Sequence, residues 1–200
     1  MALLKYLNKN LIEAGCDEAG RGCLAGPVFA SAVILNPKKA IKGLDDSKKL
    51  SESNRKALRQ EIEEKALAWA VASLDNKEID TYNILKSSFL AMHSALDKMN
   101  IEPNFLLIDG NRFIPYKGIP YSCEIKGDAR FQSIAAASIL AKTHRDDFMD
   151  QLHLQFPQYG WNQNKGYPTI SHRKAIKEFG PSPFHRLTFR LLNPQLELFN

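Results

Sequence analysis

The segment from Gly15 to Val28 holds the side chains of this sequence that are best suited to chemistry on a phosphate. It contains two adjacent acids, Asp17 and Glu18, and an arginine, Arg21, between two glycines. Neighbouring side chains of a regular strand point to opposite faces, so the acids act together only if the strand ends or bends between them. The glycines permit that bend and the close approach of a bulky partner. The segment predicts a site that holds a cation and a phosphate together; the alternative is a tight turn with two solvated acids.

Two more aspartates follow apolar segments that are typical of strands. Asp109 comes after the run from Phe105 to Ile108, Asp128 follows the run from Tyr121 to Ile125, and each lies close to a glycine. Strand ends meet along one edge of a sheet, where ligands of open sheets bind. Acids gathered there repel one another unless hard divalent cations neutralise them, and carboxylate oxygens suit Mg²⁺ or Mn²⁺. We therefore predict a two-cation site for phosphodiester hydrolysis, with ordinary Asp-Gly turns as the alternative.

The elements predicted around these acids form an α/β fold, a mixed sheet with helices on both faces. Strand patterns cover residues 11–16, 27–35, 68–74, 105–108 and 121–125. Helical patterns begin near Ser51 and cover 82–99, 129–156 and 169–179. The first two strands are joined without a helix, which predicts an antiparallel pair. The small residues of 134–141 favour close packing of a helix on the sheet, and we assign them no chemistry. Asp146 and Asp147 on the same helix are rivals of Asp128, although a solvated helix face is the preferred interpretation of that pair.

The composition favours one soluble domain with a polyanionic partner. The chain has 200 residues, 44% of them hydrophobic, a net charge of +5 and a pI near 9.0. Its three cysteines form no Cys-x-x-Cys pair, which argues against a disulfide framework or a zinc site and for a reducing compartment. We find no signal peptide and no apolar run of the roughly 20 residues that span a membrane. We expect a cytoplasmic monomer.

A series of motifs in this sequence resembles the type 2 ribonucleases H, specifically the bacterial ribonuclease HII family, over roughly residues 11–190. In chain order the motifs are Asp17-Glu18-Ala19-Gly20-Arg21-Gly22 with Ala25-Gly26-Pro27-Val28, Asp46-Ser47-Lys48-Lys49-Leu50, Ile108-Asp109-Gly110-Asn111, Lys126-Gly127-Asp128, the tract Ser133 to Lys142 with Arg145-Asp146, Lys165-Gly166-Tyr167-Pro168-Thr169 with His172, and Gly180-Pro181-Ser182 with His185-Arg186. A single motif of this kind is weak evidence, whereas the ordered series is specific.

The resemblance implies a ribonuclease H-like catalytic core, residues 1–156, and a C-terminal loop-and-helix extension, residues 157–200. It implies an endoribonuclease that cleaves the RNA of RNA–DNA hybrids and cuts 5′ of ribonucleotides embedded in duplex DNA. The products would carry a 3′-hydroxyl and a 5′-phosphate, and the biological roles would be ribonucleotide and primer removal. The catalytic, metal-binding residues that it implies are Asp17, Glu18, Asp109 and Asp128, with Mg²⁺ or Mn²⁺ as cofactor.

The resemblance also implies how substrate is read. Gly20, Arg21 and Gly22 would recognise the ribose 2′-hydroxyl, by which proteins distinguish RNA from DNA. Tyr167 would pack on the sugar that follows the ribonucleotide. Phosphates would be contacted by Lys48, Lys49 and Lys165. His172 and His185 are interpreted as structural. The sequence departs from the usual pattern at Cys23, where proline is common, and at Cys16, where a branched apolar residue is common; the change at Cys23 concerns the rigidity of the loop.

The C-terminal segment Gln195-Leu196-Glu197-Leu198-Phe199 resembles the short peptide by which bacterial replication and repair proteins dock on the sliding clamp. Gln195, Leu196, Leu198 and Phe199 would be its anchors. The alternative is a tail that packs back on the domain.

Two other functions compete with the proposed nuclease. A duplex-binding module without cleavage would not need acids that face phosphates. Another nuclease of the same fold, such as a recombination nuclease, would not need the glycine-arginine-glycine loop and Tyr167.

Overall fold

The computed structural model of the chain describes residues 3–192 and contains one mixed sheet of five strands. The strands are β1 (Glu13–Ala19), β2 (Val28–Ile34), β3 (Ala68–Leu74), β4 (Phe105–Asp109) and β5 (Tyr121–Glu124). The helices are α1 (Glu52–Lys65), α2 (Asn76–Tyr82), α3 (Ile84–Asp97), α4 (Gln132–Gln155), α5 (Trp161–Asn164) and α6 (Ile170–Phe179). The predicted clamp-docking segment, Gln195 to Phe199, lies outside the described residues.

The sheet has the strand order β3-β2-β1-β4-β5. β1 and β2 pair antiparallel, as do β2 and β3, while β4 and β5 run parallel to β1. The predicted mixed sheet and the antiparallel first pair are therefore confirmed. Because β1, β4 and β5 run in the same direction, their carboxyl ends lie at one edge of the sheet, where ligands of open sheets bind.

Helices cover both faces of the sheet. α3 packs its apolar side chains, among them Phe89 and Met92, on one face. α4, with α1 beside it, packs on the other face through residues such as Ala136 and Leu140. A side chain at Gly15 would collide with the backbone of Ser133, so α4 lies directly on β1. The close helix-to-sheet packing predicted from the small residues is confirmed.

The predicted helix from Tyr82 to Met99 is wrong at its start. The helical pattern is interrupted at Asn83, which has a φ of 66° and whose side chain accepts a hydrogen bond from the amide of Lys86 to cap α3. Tyr82 ends the separate helix α2, which begins with a capping box between Asp75 and Glu78. The apolar stripe of α3 extends across that break, so periodicity alone joined two helices.

The C-terminal elements pack on the rest of the chain through a second apolar cluster. Trp161 is completely buried and lies with Ile176 against Met149 of α4 and Leu24 of the loop after β1. The boundary at residue 156 remains a prediction, although α4 ends at Gln155. Within residues 3–192, no helix is long and apolar enough to cross a lipid bilayer.

Candidate active site

The structure places Asp17 and Asp109 side by side at the carboxyl ends of two parallel strands. Cys16 of β1 pairs with Ile108 of β4, and the next residue of each strand is an aspartate. The Asp17 carboxylate is buried, and its Oδ1 accepts the amide of Glu18 at 2.7 Å. Laterally adjacent side chains of a sheet share a face, so these two carboxylates approach each other.

The expected end or bend between Asp17 and Glu18 is wrong. β1 stays regular through both residues, with Asp17 opposite Ser31 and Glu18 opposite Ala30 of β2. What ends is the pairing with β4, whose last partner on β1 is Cys16. Glu18 therefore lies beyond the β4 ladder, and the charge of Asp109 still acts on it. The two acids share a site because a neighbouring strand stops.

Asp128 reaches the same edge from a short 3-10 turn, Gly127–Ala129, just after β5. The amide of Gly127 donates to Asp109 Oδ1 at 2.8 Å, which ties this turn to the end of β4. Asp109 is the common neighbour, since its charge raises the pKa of Asp17, Glu18 and Asp128. The structure thus places all four predicted acids at one edge of the sheet, where the charge of Asp109 acts on the other three.

The acids are short of compensating charge. Burial, then the charges of Glu18 and Asp109, raises the pKa of Asp17 well above its usual range. Burial also raises the pKa of Glu18, although Arg21 opposes this rise from 3.1 Å away. Burial and then Asp109 raise the pKa of Asp128, whose Oδ2 lies 3.8 Å from Lys48 Nζ. Carboxylates in this setting are stabilised by a bound proton or a bound cation, because their negative charges are buried and repel one another.

The donor set fits a hard divalent cation. Every candidate ligand atom is a carboxylate oxygen, and the group is partly buried and mutually repelling. Among residues 3–192, no three His, Cys, Asp or Glu side chains already form a compact metal-ligating group. Arg21 and Lys48 instead lie on the acids. These two basic side chains are exposed, so they are able to turn aside for an incoming cation.

Asp146 and Asp147 are engaged elsewhere. Asp146 forms an ion pair with Lys142, and Asp147 pairs with Arg59. The expectation of a solvated helix face is wrong for Asp146, which is buried. For Asp128, by contrast, the charge of Asp109 adds to burial in raising its pKa.

Ser138 of α4 contacts the site although the sequence reasoning assigned its tract no chemistry. Its hydroxyl lies close enough to Asp17 to oppose the rise of that pKa, which burial causes first of all. The same hydroxyl lies 2.9 Å from that of Ser47. Since Ser47 precedes Lys48, this pair of hydroxyls connects the loop that carries the lysine to the buried aspartate. The signal in the sequence was a serine within an otherwise apolar helical run.

Two buried arginines hold the loop between β1 and β2, and sequence reasoning gave neither a role. Arg186 is completely buried and donates to the carbonyls of Gly20 at 2.8 Å, Arg21 at 3.0 Å and Gly26 at 3.0 Å. Arg145 is almost as buried and donates to the carbonyls of Ala25 at 3.1 Å, Pro27 at 3.0 Å and Lys165 at 2.8 Å. Within residues 3–192, neither guanidinium forms a salt bridge.

Burial of the guanidinium disfavours its charged form in Arg186. Burial lowers the pKa of Arg186 to about 10. Main-chain carbonyls, which carry only partial charges, supply the hydrogen bonds that a carboxylate would otherwise supply. The two arginines therefore fix the loop and leave net positive charge beneath it.

The two glycines that flank Arg21 have different surroundings. Gly20 has a φ of +96°, and a side chain there would collide with Arg145. Gly22 has no non-neighbouring heavy atom within 4 Å of the position a Cβ would take. Internal packing explains the first glycine, while the second borders open space.

Tyr167 lies on the same side of the molecule as this loop. The residue is 39% exposed, and the Arg145 guanidinium carbon is 6.0 Å from the centre of its ring. Burial, then the neighbouring Cys23 thiol, raises the pKa of its hydroxyl. Cys23 is completely buried, with Sγ 3.6 Å from the carbonyl of Lys165. Burial raises the pKa of this thiol, so it is neutral and packs the loop against the tyrosine segment.

The predicted phosphate-binding lysines have different surroundings. Lys48 is exposed and faces Asp128. Lys49 pairs with Asp45 at 3.1 Å, and the Lys165 ammonium pairs with Asp150. Lys48 is thus the lysine of the three that the structure brings to the acids.

His172 and His185 are completely buried, with their Nε2 atoms 3.2 Å apart. This arrangement agrees with the structural interpretation of both residues.

Comparisons with known proteins agree with this geometry. The family model described as Ribonuclease HII matches residues 14–192. Ribonuclease HII of Phocaeicola vulgatus is 60% identical over 198 residues, which cover 98% of each chain. The crystal structure of ribonuclease H2 from Pyrococcus horikoshii superposes with a TM-score of 0.76 at 26% identity, covering 90% of this chain and 94% of that one. The ribonuclease HII of Archaeoglobus fulgidus, solved in complex with PCNA, gives a TM-score of 0.75 at 27% identity, covering 94% and 100%.

Proposed function

The chain belongs to the ribonuclease HII family, endonucleolytic hydrolases that cleave the RNA of RNA–DNA hybrids, and from this premise we propose that it also cuts 5′ of ribonucleotides embedded in duplex DNA. The observation that carries the proposal is the position of an open glycine loop on the strand that bears Asp17 and Glu18. A loop in this position would contact the sugar next to the phosphate that is bound at the acids. Membership of this family excludes a non-cleaving duplex-binding module.

Asp17, Glu18, Asp109 and Asp128 would hold the divalent cations, Mg²⁺ or Mn²⁺, two per site when substrate is bound. Such cations supply an activated water and stabilise the leaving oxygen. The protein contributes a buried Asp17 whose Oδ1 accepts a hydrogen bond from the Glu18 amide, which restricts the rotation of this carboxylate. Arg21 pairs with Glu18 and would turn to the substrate once that charge is neutralised. Cleavage would leave a 3′-hydroxyl and a 5′-phosphate.

Recognition of the ribose would use the backbone of Gly20, Arg21 and Gly22. Arg186 occupies the carbonyls of Gly20 and Arg21 from the inside of the protein, which leaves the opposite side of the loop for the substrate. The open space at Gly22 supports this role, because a 2′-hydroxyl has to approach the chain closely. Lys48 would contact a neighbouring phosphate, as would Lys49 and Lys165 after leaving their acidic partners.

A comparison of three duplexes tests the proposed function. The protein would be given DNA with one ribonucleotide, a continuous RNA–DNA hybrid and plain DNA, each with Mg²⁺ or Mn²⁺. We expect cleavage of the first two, no cleavage of the third, and no cleavage at all in EDTA. Equal cutting of plain DNA would contradict sugar recognition, and undiminished cutting in EDTA would contradict the metal site.

Replacing Tyr167 with alanine is expected to lower cleavage at a single ribonucleotide by about tenfold, because aromatic stacking contributes about 1–3 kcal/mol. Cleavage of a continuous hybrid should fall much less, since a hybrid offers many equivalent registers. Steady-state kinetics on both duplexes measure this difference. An equal loss on both would remove Tyr167 from junction recognition.

We also propose that the segment Gln195 to Phe199 docks on the sliding clamp. The related protein of Archaeoglobus fulgidus was solved in complex with PCNA, which supports a clamp as the partner. Deletion of residues 195–200 is expected to abolish clamp pull-down and to leave cleavage of a short duplex unchanged. A truncated chain that still binds the clamp would refute this role.

The proposed organisation is a monomeric enzyme with residues 1–156 as the core and 157–200 as the extension that supplies Tyr167. The packing of Trp161 and Ile176 on Met149 supports an extension that is fixed to the core. Its substrate, chromosomal DNA, would place the enzyme in the cytoplasm of a bacterium.

A further inference from the structure

A hydrogen-bonded chain of buried aromatic side chains ends at the backbone of Tyr167. Trp161 Nε1 lies 3.0 Å from His172 Nε2, and His172 Nδ1 lies 2.9 Å from the carbonyl oxygen of Tyr167. Trp161, His172 and His185 each have no exposed surface. Side chains that are buried to this extent and hydrogen-bonded to one another have few arrangements available to them.

The partners of each ring fix its tautomer. An indole N–H only donates, so His172 Nε2 accepts and the proton of this ring is on Nδ1, from which it donates to Tyr167. The amide of Ser182 donates to His185 Nδ1 at 2.8 Å, so His185 carries its proton on Nε2, which points at His172 Nε2. Burial lowers the pKa of both rings, that of His185 to about 4, so both are neutral at pH 7.

Tyr167 combines a fixed backbone with an open ring. Its carbonyl also accepts the amide of Thr169 at 2.8 Å, and its own amide donates to the carbonyl of Asn164 at 2.8 Å. The buried hydrogen bond from His172 acts together with these two backbone bonds to set the position of the ring, and His172 is the one side-chain donor to this carbonyl among the described residues.

We propose that His172 is a positioning residue, which sets the place of the Tyr167 ring and thereby the preference for a single ribonucleotide over a continuous hybrid. Trp161 and His185 hold His172 in the tautomer that donates to Tyr167. The inference rests on the proposed role of Tyr167 at the sugar. One embedded ribonucleotide gives the ring one productive register, so a small displacement is costly there, whereas a hybrid tolerates it.

Two substitutions of His172 separate its hydrogen bond from its volume. His172→Phe keeps a ring and removes the donor, and His172→Asn keeps an N–H close to the place of Nδ1. We expect His172→Phe to lower kcat/KM on the single-ribonucleotide duplex about tenfold relative to the hybrid, and His172→Asn to restore most of this ratio. His93→Phe is the matched control, because His93 is a part-buried histidine that lies 2.9 Å from the carbonyl of Ile114. It should leave the ratio unchanged.

A double-mutant cycle with Tyr167→Ala distinguishes the failures. If Tyr167→Ala alone leaves the ratio unchanged, the proposed function of the tyrosine is wrong. If Tyr167→Ala changes the ratio and His172→Phe does not, the positioning role is wrong. Equal loss of both activities in His172→Phe would also overturn it. We expect no further change in the ratio when His172→Phe is added to Tyr167→Ala. Should His172→Phe not fold, His172→Gln serves instead, because its amide reaches the place of Nε2 and leaves no donor at the place of Nδ1. An unchanged ratio in that variant overturns the proposal.

Discussion

Replacing Asp17 with asparagine is expected to lower cleavage by on the order of a thousandfold or more while the variant still binds duplex. Asparagine has the same shape and keeps an oxygen for the Glu18 amide, which Asp17 now binds at 2.7 Å. It removes a negative charge that is buried and lies next to the charges of Glu18 and Asp109. Single-turnover cleavage and binding of a single-ribonucleotide duplex, the latter with Ca²⁺, measure the two effects.

The same substitution should stabilise the protein in EDTA. Folding raises the pKa of Asp17, chiefly through burial, so the protonated carboxyl favours folding. This contribution to stability is lost as the pH rises from the usual pKa of an aspartate through the raised pKa of the folded protein. At pH 7 the ionised form is therefore a cost to folding, and asparagine removes it. We expect a gain of about 1 kcal/mol in the free energy of unfolding.

Asp147→Asn is the control for this pair of effects. Asp147 is an exposed acid of α4 that pairs with Arg59. It was considered as an alternative to Asp128 in the sequence, but its ion pair lies outside the site. Its substitution should change cleavage less than twofold. If Asp17→Asn retained substantial activity, or lost stability in EDTA, the charge assigned to this edge of the sheet would be wrong.

Replacing Arg186 with methionine is expected to have the largest effect on stability. The guanidinium donates to the carbonyls of Gly20, Arg21 and Gly26, and methionine leaves these acceptors without their buried donor. Each unsatisfied buried acceptor costs about 1–3 kcal/mol, and some will find water, so we expect a loss of about 3–5 kcal/mol. Urea unfolding measures it.

Cleavage by Arg186→Met should be nearly abolished even at low temperature, where enough protein stays folded to assay. The reason is that the loop proposed to read the ribose loses its support. Arg186→Lys restores the charge with fewer donors and should recover only part of the stability. Arg190→Met, at an exposed position on the same segment, serves as control. A loss below about 1 kcal/mol in Arg186→Met would show that the loop does not need this arginine.

Much of the fold followed from local signals in the sequence. α1 and α6 begin where Ser51 and Thr169 cap them, and β3 has the bounds that its apolar pattern predicted. The proximity of Asp17 and Asp109 was predicted from their positions after apolar strands, because the carboxyl ends of parallel neighbouring strands lie at the same edge of a sheet. The break at Asn83 was missed because a residue with positive φ does not disturb the apolar period on either side.

The supports of the site were harder to predict, for a physical reason. Arg186 lies 165 residues from Arg21, whose carbonyl it binds. Because every residue has a main-chain carbonyl, the type of the partner residue gives no sign of this contact. The pairing of Lys165 with Asp150 was likewise invisible, because a lysine next to a glycine and a tyrosine has the same sequence pattern whether it is free or paired.

The way in which Arg145 and Arg186 hold the loop also bears on how freely its sequence can be redesigned. All the acceptors of these arginines are main-chain carbonyls, a group that every amino acid carries. The shape of the loop is therefore separable from the identity of side chains that take no part in the packing. The side chain of Cys23 fits this separation, because it occupies buried space while the arginines hold the turn by its carbonyls. Position 21 is open to substitution in the same way, because Arg186 binds its carbonyl and not its side chain.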